Sequence, residues 1–276
     1  MHISEFKYFK GTVKEDGYIA IPELKRDRPS VGQFIKMANL DIVLTRPTAF
    51  LYVDGFLVSQ ADNGMREPAR VSKTAIIKSG TSYIAHEWVH TFKNKEHLKH
   101  VNMIASTCAS GVQAIWEAEA LLKSGIVEEV IVIGAERITD STIALFRELR
   151  IPITCGDGFA YMRLCKGEGL HNPVWKYTYQ QNPFYFPKEV LDSLIPEYPV
   201  DYVKLHGTGT PSNTEGESGL ASLGIPITYK QDIGHTQGVS ALLETCMVLD
   251  DPKITGKILV TANGLGGFYG SFLVVK

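Results

Sequence analysis

Four β-branched residues stand in a row in Val130-Ile131-Val132-Ile133-Gly134. An alternating strand can leave one face to water, but an unbroken apolar run needs cover on both faces. Such a strand belongs in a parallel sheet sandwiched between helices, which commits the chain to α/β layering. Further strand signals fall at 49–53, 101–106, 158–164, 174–180, 200–205, 257–262 and 268–275. Helical patterns fall between them, at about 72–92, 109–123, 140–149, 187–194, 214–222 and 236–249. The helix from 109 sets Val112, Ile115, Ala118 and Leu122 on one side and meets Gly125 as its stop. Glycine, proline and charge interleave in the first 45 residues, which give no clear pattern. The segment 165–200, rich in tyrosine, phenylalanine and proline, is expected to be largely irregular.

A length of 276 residues supports a large core, in one domain or two fused halves. The formal net charge is −2 with no sustained charge run and no basic stripe, which argues against nucleic acid and anionic membranes as partners. No stretch approaches the roughly 18 apolar residues of a membrane span. The start, Met1-His2-Ile3-Ser4-Glu5-Phe6-Lys7, lacks the basic-then-apolar order of a secretion signal. Cys108, Cys155, Cys165 and Cys246 lie far apart, without CxxC pairs. A cytoplasmic protein with reduced thiols is the expectation.

One cysteine has a distinctive setting. The apolar strand ending near Ser106 runs into Thr107-Cys108-Ala109-Ser110-Gly111 and then directly into a helix. That order places Cys108 on a sharp strand-to-helix turn, where the helix macrodipole and free N–H groups favour a thiolate and can hold an oxyanion. Small neighbours leave room for a substrate. A buried structural cysteine is the plain alternative, and it is the expected role of Cys155, Cys165 and Cys246. Two histidines have matching settings. His206 ends an apolar strand and opens Gly207-Thr208-Gly209-Thr210-Pro211, and His235 follows Gly234 just before a helix. Loops at the C-terminal ends of strands are where α/β proteins build their sites.

The Ser106–Gly111 elbow, the His206–Pro211 loop and the Lys230-Gln231-Asp232-Ile233-Gly234-His235 loop occur in the order found in the elongating β-ketoacyl-acyl-carrier-protein synthases. Gly134-Ala135-Glu136 and Asn263-Gly264-Leu265-Gly266-Gly267 are similar to that family too. The chain is thus identified by resemblance as a shortened, divergent member. The resemblance implies a thiolase-like fold, layered α/β/α/β/α, with two similar halves. Here these would be about 1–165, with the nucleophile, and about 166–276, with both histidines. It implies a decarboxylative Claisen condensation. Cys108 accepts an acyl group, and His206 and His235 stabilise the enolate of a malonyl-type extender. Backbone N–H groups of Cys108 and Leu265 hold the oxyanion. By the same resemblance Lys230 tunes charge near the histidines, Glu217 is an acidic supporting residue, and Thr208, Thr210, Asn263 and Gly266 line the pocket. The chemistry needs no metal or organic cofactor. The implied partners are an acyl carrier protein and a second subunit, identical or paralogous.

Departures from the family point to a specialised fatty acid or polyketide-type pathway. The usual Gly-rich opening is not recognisable, the interval between Cys108 and His206 is trimmed, and Thr214 stands where aspartate is common. Asn263 and Leu265 replace two phenylalanines, the second of which normally gates the pocket. Two rival readings keep the fold: a non-catalytic, chain-length-determining partner subunit, and acyl transfer to an alcohol or amine. A remoter one comes from His86-Glu87-Trp88-Val89-His90, a literal H-E-x-x-H that on a helix would set His86 and His90 on one face as in zinc metalloproteases, with Glu87 as base. Lys93, Lys95, Lys99 and His100 form the densest basic stretch and the expected carrier-protein dock.

Overall fold

The computed structural model describes residues 1–25, 30–55, 81–148, 150–182 and 184–276. In chain order the strands are β1 (His2–Lys10), β2 (Val13–Glu15), β3 (Tyr18–Ala20), β4 (Thr48–Val53), β5 (Leu98–Ile104), β6 (Glu129–Glu136), β7 (Cys155–Gly156), β8 (Gly158–Cys165), β9 (Leu170–Tyr177), β10 (Tyr202–Lys204), β11 (Ile225–Ile227), β12 (Lys257–Gly264) and β13 (Phe268–Val275). The helices are α1 (Ser30–Ala38), α2 (Thr81–Thr91), α3 (Ser110–Ser124), α4 (Asp140–Glu148), α5 (Lys188–Asp192), α6 (Pro211–Gly216), α7 (Ser218–Ala221), α8 (Lys230–Ile233) and α9 (Ser240–Asp250).

Two five-stranded mixed sheets form, in the orders β1-β8-β6-β4-β5 and β11-β10-β12-β13-β9. The apolar run at 130–134 becomes β6, buried along its whole length, parallel to β4 and antiparallel to β8. Side chains alternate along each strand, so a fully apolar strand feeds two cores at once. Ala49, Leu51 and Val53 of β4 and Val130 and Val132 of β6 enter one core with α3 and α9. Phe50, Tyr52, Ile131 and Ile133 enter another, with Phe34 of α1 and Trp88 of α2. The second sheet repeats the pattern. Ile258, Val260, Phe272 and Val274 face α3 and α9, while Leu259, Tyr269 and Leu273 pack with Leu191 and Leu220 of the α5–α7 layer. The expected α/β/α/β/α layering follows, with α3 and α9 as the shared middle layer.

Several elements depart from their sequence expectation. The helix expected at 214–222 is two short ones, α6 and α7, and it begins earlier. Thr210 caps α6 by accepting from the Asn213 N–H, and Pro211 supplies the first helical residue. The strand expected at 174–180 is β9, shifted towards the N-terminus, and 165–200 therefore holds a strand and a helix. The part of the 72–92 helix before Thr81 lies outside the described residues. The unreadable N-terminus forms β1, β2, β3 and α1. Three-residue strands are too short to display a period, and β1 carries no clean alternation. None of the described helices is long and apolar enough to cross a membrane.

Candidate active site

Strand β5 ends at Ile104 and α3 begins at Ser110, with Cys108 between them. The turn is made one residue earlier than the sequence suggests: Thr107 takes φ 52°, a left-handed conformation that a β-branched residue rarely adopts. Ser110 fastens it, its Oγ accepting from the Ser106 N–H at 2.8 Å and donating to the Thr107 carbonyl at 2.6 Å. From the second sheet, Thr107 Oγ1 donates to the Leu265 carbonyl at 3.3 Å. Gly264 is pressed against the elbow so closely that a Cβ there would lie 2.4 Å from Thr107 Oγ1 and 2.6 Å from the Ser106 carbonyl.

His206 follows β10, and its loop is held by Glu217, whose carboxylate accepts the backbone N–H groups of His206 and Gly207 at 2.6 and 3.0 Å. Asn213 Oδ1 accepts from the Thr208 N–H and Oγ1. His235 is zipped to β7: its N–H donates to the Thr154 carbonyl at 2.7 Å, and its carbonyl accepts from Gly156 N–H at 3.1 Å. The Nδ1 of His235 lies 3.1 Å from Ser240 Oγ. Strand β7 also joins β3 in a small three-stranded sheet with β2.

These three segments bring one sulfur and two imidazoles together. Ligating atoms of Cys108, His206 and His235 all lie within 4.8 Å of one another, and the two rings meet edge to face with centroids 5.1 Å apart. They share a cavity of about 710 Å³ with Phe146, Ile151, Phe186, Thr208, Thr210, Gln237, Asn263 and Leu265. Thr208, Thr210, Asn263 and Leu265 thus line it as expected. Gly266 does not: at φ 88° it turns the chain between β12 and β13, outside the cavity wall.

Behind the imidazoles lies a buried charge cluster. Lys230 Nζ and Lys204 Nζ each lie 2.6 Å from one oxygen of Glu244, and all three side chains have no exposure to solvent. Burial draws Lys204 below its ordinary range, with Glu244 opposing, and pushes the Glu217 carboxyl up, with the Gly207 and His206 N–H groups opposing. Burial, then Lys230, His235 and Lys204, hold His206 well below the usual imidazole range. Burial, then Lys230 and Lys204, do the same to His235. Both rings are therefore neutral at physiological pH and can donate N–H bonds. Burial alone would push the Glu244 carboxyl up, but the two ammonium groups hold it below its ordinary range. Burial pushes the Cys108 thiol up to about 12, with Lys230 opposing. The expected ready-made thiolate is thus corrected: burial, with Glu136 adding to it, outweighs the lowering by Lys230 and the backbone N–H, and the resting group is a thiol.

The sequence assigns no functional role to Lys204, Glu244 or Gln237, and it presents Ser110 only as a small neighbour of Cys108. The signal for the first two was a single charge inside an otherwise apolar run, in Tyr202-Val203-Lys204-Leu205 and in Ala241-Leu242-Leu243-Glu244. His86 and His90 do share a face of α2, with their Nε2 atoms 2.8 Å apart. Among the described residues, no further His, Cys, Asp or Glu extends that pair to a three-ligand group. The basic stretch has acidic neighbours. Lys93 pairs with Asp41 at 2.7 Å and His100 with Glu117 at 3.5 Å. It runs into the first residues of β5, with His100 about 13 Å along the strand from the end that feeds the elbow.

Proteins of known structure share this arrangement of layers. The ishigamide ketosynthase/chain length factor matches with a TM-score of 0.71 at 13% identity, over 94% of this chain and 87% of that one. The chain has the thiolase-like fold of the ketosynthases. The ketosynthase from module 6 of the bacillaene synthase of Bacillus subtilis matches with a TM-score of 0.67 at 13% identity, over 93% of this chain. A β-ketoacyl synthase from Burkholderia phymatum matches at 0.64 and 15% identity, over 83% of this chain and 75% of that one. The chain spans only 60% of the bacillaene ketosynthase. No protein-family model and no curated protein matches the chain.

Proposed function

We propose that the chain is an acyltransferase that condenses an acyl thioester with a malonyl-type thioester, both delivered on an acyl carrier protein. The observation that carries this is the convergence of Cys108, His206 and His235 in one cavity. In the first stage the Cys108 sulfur attacks the acyl carbonyl and gives its proton to the adjacent imidazole. The tetrahedral oxyanion collapses, the carrier thiolate leaves and takes that proton, and an acyl-Cys108 thioester remains. In the second stage the extender loses CO2. The bonding pair becomes an enolate, whose thioester oxygen accepts N–H bonds from neutral His206 and His235. The enolate carbon attacks the acyl carbonyl, a carbon–carbon bond forms, and Cys108 departs to be reprotonated. Backbone N–H groups of Cys108 and Leu265 serve the oxyanion. A resting thiol suits this sequence, because it is less exposed to adventitious oxidation than a thiolate.

Strand β5 is an edge strand among the described residues, with Val101 and Met103 exposed along it. It is the natural place for a second subunit of the same fold. Sedimentation of the purified protein tests this, with a monomer at micromolar concentration opposing it.

Intact-mass analysis after incubation with acyl-carrier protein tests the chemistry. The wild type should gain the acyl mass and Cys108→Ala should not. Adding the malonyl-type thioester should release CO2 and a chain longer by two carbons. Ester or amide formation without CO2 would assign acyl transfer to an alcohol or amine instead. A partner-subunit role has one observation in its favour: of the three structures named above, the one this chain spans most fully is a ketosynthase/chain length factor. A wild type that neither loads nor alkylates with iodoacetamide would establish that reading.

A further inference from the structure

The cavity wall is mainly apolar around Phe146, Ile151, Phe186 and Leu265, yet it contains two buried carboxamides. Asn263 has no exposure to solvent, and neither its Nδ2 nor its Oδ1 has a hydrogen-bond partner. Gln237 is 1% exposed, and its Nε2 has none. Buried polar groups without partners are rare and costly, and they persist where a ligand satisfies them. Each lies beside a reactive group. Asn263 precedes Gly264, whose backbone is pressed against the cysteine elbow. Gln237 is two residues past His235 and is held at φ 49°. The unmet valences comprise N–H donors on both side chains and one carbonyl acceptor on Asn263. A hydrocarbon chain answers none of them and a ketone answers only donors. A hydroxyl answers both kinds, since it accepts and donates.

We propose that Asn263 and Gln237 read a hydroxyl on the first carbons of the acyl chain, so that the cavity takes short hydroxyacyl thioesters in preference to plain hydrocarbon ones. This rests on the thioester reading above and names its substrate class. The test is equilibrium binding of unreactive pantetheine analogues in which nitrogen replaces the thioester sulfur: 2-hydroxybutyryl, 3-hydroxybutyryl and butyryl. On the wild type, at least one hydroxylated analogue should bind about tenfold or more tighter than butyryl, because the analogue lacking the hydroxyl leaves buried donors unpaired. Asn263→Leu and Gln237→Leu, each near in volume to the residue replaced, should bring that ratio towards one. Should either variant fail to fold, the comparison of ligands on the wild type still decides. The proposal is overturned if neither hydroxylated analogue outbinds butyryl, or if the preference survives both substitutions. Acyl loading of Cys108, measured separately, keeps the two readings apart. Loading without hydroxyl preference removes this proposal alone, and hydroxyl preference without loading removes the condensation chemistry alone.

Discussion

The two sheets hold their reactive groups by different means. In the first, Cys108 is set by backbone geometry: a left-handed Thr107, a serine that bonds across the turn, and a glycine pressed against it from the other sheet. Among the described residues, no ion pair holds this turn. In the second, buried ionisable groups are added to the backbone: Glu217 holds the His206 loop, the Lys204–Glu244–Lys230 cluster lies behind both rings, and His235 is also zipped to β7. The difference follows from the chemistry each must do. A nucleophile needs position above all. Imidazoles that donate hydrogen bonds to a forming enolate need to be neutral, and burial, reinforced by the lysine charges beside them, keeps them so.

Breaking the charge-held half should have the largest effect. Glu244→Gln strands two buried ammonium groups and is expected to cost about 3–5 kcal/mol, read by denaturant titration. A loss under 1 kcal/mol would show that the cluster is not the support described. Next comes the seam of His235. Gly234 sits at φ 75°, and a Cβ there would lie 2.5 Å from the Cys155 carbonyl. Gly234→Ala should cost about 1–3 kcal/mol from backbone strain alone, and slow condensation more than acyl loading. In the backbone-held half, Ser110→Ala leaves the Ser106 N–H unpaired, an expected loss of about 1–2 kcal/mol, with acyl loading slowed. Lys204→Met should change stability least, since Lys230 and Glu244 remain as a neutral pair. Its signature is different: the imidazole pKa values rise, so the acid limb of the activity profile moves to higher pH. An unmoved limb would remove Lys204 from the electrostatic account.

The contrast also predicts opposite responses to pH. The imidazoles are held below about 6.5, the value they regain on unfolding. As pH falls through that value, the unfolded chain binds protons that the folded site refuses, and stability drops. The Cys108 thiol is held up at about 12. As pH rises past about 8.5, the unfolded chain sheds a proton that the folded one keeps, and stability drops again. Thermal melts from pH 5 to 10 should show both arms. Cys108→Ala should soften only the alkaline one.

The sequence revealed the backbone-held half more fully than the charge-held one. The all-apolar β6 and the small residues after Cys108 are local signals, readable within a few positions. His206 and His235 were legible for the same reason, as residues ending strands or flanking glycine. Lys204 and Glu244 were not, because their meaning depends on a meeting of residues 40 apart in the chain. The unmet valences of Asn263 belong to the folded surroundings, which no spacing encodes. The thiolate expectation failed because burial, a tertiary property, decides the pKa.

His235 lies in the last fifth of the chain, yet its backbone is bound to Thr154 and Gly156, and β7 is bound in turn to Tyr18 and Ile19 of β3. The order of synthesis then matters. A nascent chain can pair most of the first sheet early, but the elbow's contacts with Gly264 and Leu265, like the reactive cluster, wait for the last segments, which return to a seam begun by the earliest ones. A polypeptide that stops short of these segments therefore lacks both imidazoles' support and part of the core that α3 shares with α9, β12 and β13.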